Sequence, residues 1–502
     1  MARRRGTWGP EQMLFTSLEF FLFLPLVLLV FAGLPIAQRW ILLLLASYVF
    51  YGIWQPFNLV YLGAVTFVVY ACGRGMQGAL DGRRRTSLLT LGLIAVLGSL
   101  FAFKFYDFIA GELERLIPQT AGGESSFPLP RIGVSTPVGY SFYAFSAASY
   151  LIDIYVRRLP EKQSAGHAAL YVAYFPKIFA GPIERATTFL PQVWSGLRAD
   201  PDRFVLGLQL IGWGLFKKVV IADNLAPLVD RNFGIAAFAP PMELLISVYF
   251  FAFQIYCDFS GYTDIAIGIS LLFGIQLMEN FRRPYLSRST GEFWASRWHI
   301  SLGHWFRDYL YIPFGGSQAG AVRRYANLMI VFLVSGLWHA GLGYGVGWTF
   351  LVWGALNGFY QWVGLATRSF WRRIGEAVPH LAASVPLLVL RVLITFHLIA
   401  IAWVFFRAST VNEAILILQK IGARLPELIV LVPGYPFTAE HYFGFALIGF
   451  LVVVEIFDER RSIFARLKAA PVWLRWSVWY LAIFALILLG RWQAKEFIYM
   501  QF

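Results

Sequence analysis

Apolar runs of roughly 18 residues or more recur along the whole of this sequence, each long enough to cross a bilayer as a helix. Lipid offers the backbone no hydrogen-bond partners, so only helices or a closed barrel can span it. The alternating ten-residue pattern of a membrane barrel is absent. The chain therefore reads as an all-α polytopic membrane protein. Composition agrees: of 502 residues, 58% are hydrophobic and 14% charged, against about 25% charged in soluble domains. Candidate segments fall near 13–35, 38–54, 57–73, 86–109, 136–156, 167–182, 204–230, 241–275, 325–345, 347–366, 384–406, 440–457 and 472–490. Pro25, Pro137, Pro176, Gly214 and Gly268 interrupt them. About 11 true transmembrane helices are expected, the rest being re-entrant or interfacial.

A formal charge of +14 from 42 Lys and Arg places basic loops against the cytoplasm and anionic headgroups. The clusters Arg3–Arg5, Arg83–Arg85, Arg282–Arg283, Arg323–Arg324, Arg372–Arg373 and Arg460–Arg461 lack the aromatic interleaving of a base-stacking groove, so nucleic acid is excluded as a partner. Membrane lipid is the expected one. The Arg83 loop is expected inside. Arg3–Arg5 would place the N-terminus inside as well, which three intervening spans contradict. The first apolar segment reads as retained rather than cleaved. Cys72 and Cys257 are far apart in apolar context, so neither a disulfide nor a metal framework is indicated.

Residues 110–135 and 408–440 read as polar connections. Residues 279–325 combine charges with dense Trp, Tyr and Phe, as interfacial or re-entrant helices do. No internal repeat is visible, which argues against a transporter built from inverted repeats.

Candidate chemistry centres on His339, in Val334-Ser335-Gly336-Leu337-Trp338-His339-Ala340. An ionisable side chain in an apolar segment is a functional candidate by default. The small residues Ser335, Gly336, Ala340 and Gly341 let a helix or substrate approach it, and a neutral imidazole suits proton removal from a hydroxyl. His299 follows the same logic within Arg297-Trp298-His299. His299 and His304 are five apart, about 140° on a helix, so they share no face and no zinc site is expected. Asp258 and Asp264 sit in one apolar stretch on different faces. Asp264 is expected to pair with an arginine or to cap a helix broken at Gly261, and Asp258 to line a cavity. Hydrolase, nucleotide-triphosphatase and dinucleotide motifs are missing.

These motifs together resemble the membrane-bound O-acyltransferase family, in its bacterial branch typified by the alginate O-acetyltransferase membrane subunit. The resemblance rests on Met13-Leu-Phe-Thr-Ser-Leu-Glu-Phe, Val138-Gly-Tyr-Ser-Phe-Tyr-Ala-Phe and Phe175-Pro-Lys-Ile-Phe-Ala-Gly-Pro-Ile-Glu-Arg. It also rests on Tyr256-Cys-Asp-Phe-Ser-Gly-Tyr-Thr-Asp, Arg297-Trp-His, Arg307-Asp-Tyr-Leu-Tyr-Ile-Pro, Leu337-Trp-His and the ending Phe497-Ile-Tyr-Met-Gln-Phe. Gly303-His304 and Phe314 depart from the family's usual Ser-Thr and Leu.

The resemblance implies one membrane domain over 1–502, with a catalytic core near 130–365 and C-terminal helices over 380–502. It implies a ring of helices around a thinned centre with a funnel or tunnel. His339 resembles the central catalytic histidine and His299 the second. Arg297, Trp298, Asp258, Ser335, Trp338, Arg307, Asp308 and Asn280 are expected along the donor and substrate channel, with Arg297 and Arg307 on donor phosphates. The implied activity is O-acetylation of an extracytoplasmic polysaccharide such as alginate, from acetyl-CoA, at the inner membrane and through a periplasmic partner. No permanently bound cofactor is implied. Alternatives are D-alanyl transfer to teichoic acid from a carrier protein and proton-coupled transport.

Overall fold

A computed structural model describes residues 13–54, 56–116, 129–133, 136–159, 163–318, 320–340, 347–382, 384–492 and 497–498. Every regular element among them is helical. The chain is a multi-pass membrane protein, and eight described helices are long and apolar enough to cross a bilayer. The expected 11 is not reached because several apolar stretches form shorter elements. Leu18–Gly33 and Tyr140–Tyr155 have 16 residues each, and the 167–182 stretch yields only the nine-residue helix Ala165–Ala173. Tyr140–Tyr155 is enclosed by protein nearly all round, so its length need not match the lipid thickness.

The central element is the 32-residue helix Pro241–Leu272, whose apolar window is 89% buried. A helix hydrophobic on every side belongs in such an interior. It packs against Pro201–Leu215 through backbone contacts at glycine. A methyl group on Gly214 would stand 2.5 Å from the Gly261 carbonyl oxygen, and one on Gly268 2.5 Å from that of Gly207. Gly214 and Gly268 are thus points of close approach rather than breaks, and the helix runs unbroken through Gly261. Pro25 likewise sits inside a continuous helix. Residues 408–440 are not a simple polar connection: Val411–Leu431 is a 21-residue helix. Its Ala414, Ile417 and Leu428 are buried while Arg424 and Glu427 are exposed, so the charges concealed an amphipathic helix.

Contacts between helix ends sort the charges. Arg39 Nη1 meets the Leu197 carbonyl at 2.9 Å, Arg85 Nη2 the Tyr155 carbonyl at 2.8 Å, and Lys468 Nζ meets Asp202 at 2.9 Å. Arg283 bonds Asp458 and Glu459, next to Arg460 and on the same helix end. At the opposite ends of the same helices, Arg407 bonds Asp230 and His441 bonds Glu243. The basic loops therefore collect on one face, as the positive-inside rule requires. Arg3–Arg5 lies outside the described residues, as do Gly341 and residues 499–502 of the terminal motif.

Candidate active site

The helix Ala321–His339 ends on the histidine itself. It lies against Trp348–Ala366, and here too glycine sets the spacing. An added methyl on Gly336 would overlap the Phe350 carbonyl, and one on Gly354 would stand 2.5 Å from the Phe332 carbonyl. His339 is 3% exposed. Its Nδ1 lies 2.8 Å from the Ser335 carbonyl oxygen. A carbonyl only accepts, so Nδ1 carries the proton and Nε2 the lone pair of the neutral ring. Ser335 thus acts through its backbone. Trp338, Trp353 and Phe406 surround the imidazole, with ring centroids at 4.7, 5.2 and 5.5 Å.

Lys104, which the sequence reading passed over, reaches this point. Its Nζ donates to the Trp338 carbonyl, lies 3.3 Å from Ser141 Oγ and 5.4 Å from the Trp338 ring centroid. A lysine at the last carbonyls of a helix satisfies an acceptor that has no partner within the helix. The available signal was a lone lysine within the apolar stretch 86–109.

His299 precedes the helix Ile300–Phe306 with φ 45° and ψ 53°. This left-handed conformation costs about 1–2 kcal/mol for a residue with a Cβ, so its surroundings must impose it. Asn280 does much of this. Its carbonyl accepts from Ile300 N at 3.0 Å, and its Oδ1 accepts from Ser301 N at 3.2 Å and Oγ at 2.9 Å. The His299 ring faces Phe259 at 4.8 Å, Trp338 at 6.1 Å and Phe142 at 6.2 Å. Trp338 therefore lies beside both histidines.

The helix Tyr140–Tyr155 runs from these rings toward the basic face. Phe142 meets His299 and Trp338; Phe145 stacks on Trp305 at 4.0 Å; Asp153 accepts from Tyr309 OH at 2.9 Å. The 11 residues from Phe142 to Asp153 correspond to about 16 Å of rise. The block 299–311 consists of short α and π turns, as expected of non-spanning structure. At its outer end Asp308 bonds Arg185 at 3.2 Å and Arg307 at 2.8 Å. Burial, then the Arg307 guanidinium, hold the nearby His304 imidazole below its ordinary value.

The remaining expected residues make the following contacts. Arg297 bonds Glu292 and Glu459, each at 2.7 Å, and Glu459 also takes Arg283 at 2.5 Å. Its guanidinium is therefore committed to carboxylates that tie this block to the helix Ala439–Arg460. Trp298 packs on Trp403 at 4.9 Å and Phe293 at 5.4 Å. Asp258 pairs with Lys218 at 2.8 Å and accepts from Ile498 N at 2.7 Å. Asp264 pairs with Lys217 at 2.7 Å, so its partner is a lysine and not an arginine. Both lysines lie in a π-helical turn, Phe216–Ala222.

Fold and site together define a helical membrane protein with two buried histidines, His339 and His299, on either side of the Trp338 ring. Residues 157–406 match the membrane-bound O-acyltransferase family. The probable alginate O-acetylase of Azotobacter vinelandii is 38% identical over 407 residues, covering 80% of this chain and 76% of the relative. That of Pseudomonas aeruginosa is 38% identical over 405 residues, covering 80% and 73%. The peptidoglycan O-acetyltransferase of Helicobacter pylori is 34% identical over 437 residues, covering 80% and 78%. The chain belongs to the membrane-bound O-acyltransferase family and is an O-acyltransferase.

Proposed function

We propose that this enzyme transfers acetyl from acetyl-CoA, on the cytoplasmic side of the inner membrane, toward a hydroxyl of an extracytoplasmic polysaccharide such as alginate. A periplasmic partner carries or presents the acceptor. The observation that carries the reading is His339, a base with its Nε2 lone pair fixed by Ser335, held in an O-acyltransferase whose relatives are named for O-acetyl transfer. The basic face supports donor arrival from the cytoplasm. Arg307, about half exposed, is suited to donor phosphates, with Arg185 beside it. Arg297 serves this role less well because two carboxylates already hold it.

In this mechanism the thioester reaches the histidines along the Tyr140–Tyr155 helix. His299 orients it, and His339 Nε2 takes the acceptor hydroxyl proton as the oxygen attacks. Nε2 then returns that proton to the departing thiol.

The test is transfer from radiolabelled acetyl-CoA by the full-length protein in proteoliposomes, with a D-alanyl carrier protein as the competing donor. Label should move from acetyl-CoA, and His339→Ala should abolish it at unchanged protein level. Wild-type turnover by that variant overturns the base; transfer from the carrier alone overturns the donor.

A further inference from the structure

Four tryptophan indoles in this region are hydrogen-bonded. Trp294 Nε1 donates to Asn357, Trp305 to the Phe145 carbonyl, Trp362 to the Tyr325 carbonyl and Trp403 to Tyr285. The indole N–H groups of Trp338 and Trp353 have no hydrogen-bond partner among the described residues, although both side chains are buried. Buried donors left unpaired are rare and call for an explanation. These two belong to rings packed directly on His339, at 4.7 and 5.2 Å. Their helices are locked together at Gly336 and Gly354, so the two indoles are presented by one rigid unit.

We propose that the Trp338 and Trp353 N–H groups receive the carbonyl oxygen of the acyl group and stabilise the charge it gains during transfer. The inference rests on the reading of His339 as the base. The acceptor oxygen bonds to the thioester carbon while its proton passes to His339 Nε2. The carbonyl π pair moves onto oxygen, where the two N–H groups hold it. When that pair returns, the C–S bond breaks, and the sulfur leaves with the bond pair and takes the proton from Nε2. An ester and a free thiol result, with no other reactant. Indole N–H only donates, which suits a group that must bind an oxyanion without exchanging protons with it. Fixed donors in a dry site are effective because they need no reorganisation as charge develops.

The experiment uses the full-length protein in proteoliposomes with labelled acetyl-CoA. Trp338→Phe and Trp353→Phe remove the N–H groups. Site-specific β-(3-benzothienyl)alanine at either position keeps the fused rings and puts sulfur where the N–H was, so packing is preserved. Each replacement should lower kcat by about 10²–10³-fold while the donor KM changes by less than about threefold. His339→Ala is measured alongside. If His339→Ala is inactive and the benzothienyl variants turn over as wild type, the oxyanion role fails alone. The same holds if KM rises with kcat unchanged. If His339→Ala is fully active, the underlying reading fails instead.

Discussion

His339 Nδ1 and the Ser335 carbonyl oxygen, 2.8 Å apart across one turn of helix, decide which nitrogen of the imidazole is the base. The contact uses backbone, so it survives changes of the serine side chain. Ser335→Ala should keep kcat within about threefold of wild type, whereas His339→Ala should lose about 10²–10⁴-fold. Steady-state acetyl transfer measures both, and a Ser335→Ala variant as inactive as His339→Ala would refute the backbone role.

Asn280 holds the left-handed turn at His299. Asn280→Leu removes the acceptor of Ser301 N and Oγ and leaves buried groups unpaired, at about 1–3 kcal/mol. A lower thermal transition in detergent is expected together with reduced kcat. Asn280→Asp, which keeps the acceptor oxygen, should be milder on both measures.

Lys218 bonds Asp258 at 2.8 Å and Asp223 at 3.0 Å, all three buried. Removing one partner of such a set strands charge in the interior and costs about 3–5 kcal/mol. Lys218→Met should therefore give little folded protein by fluorescence-detected size exclusion. Adding Asp258→Asn should recover part of the yield; no recovery would argue against charge as the cause.

Arg297 and Arg307 separate two roles. Arg297→Ala breaks the bonds to Glu292 and Glu459 and should lower thermal stability while leaving the donor KM within about threefold. Arg307→Ala should raise the donor KM and leave stability nearly unchanged, since its partner Asp308 keeps Arg185. The opposite pattern would make Arg297 the phosphate ligand.

The membrane fold was legible because helical spans advertise themselves as long apolar runs. Their number was not, because apolar stretches such as Leu18–Gly33 and Tyr140–Tyr155 form helices of only 16 residues, the second enclosed by protein. His339 and His299 stood out as polar residues in apolar or aromatic company. Lys104, Lys217 and Lys218 did not, because a lysine in an apolar run reads equally as a side chain snorkelling to the surface. Only three-dimensional contacts distinguish the two, placing Lys104 on the Trp338 carbonyl and Lys217 and Lys218 on Asp264 and Asp258. The glycines at 214 and 268 misled for a related reason: a residue without a side chain signals a break and a close approach alike.

Those glycines carry a mechanical consequence. The crossings Gly207/Gly268 and Gly214/Gly261 stand seven residues apart on each helix, about 10 Å along the axis. A pair pinned backbone to backbone at two points resists the small sliding by which packed helices usually shear. The molecule thus has a keel, a helix pair held at fixed spacing through the middle of the protein.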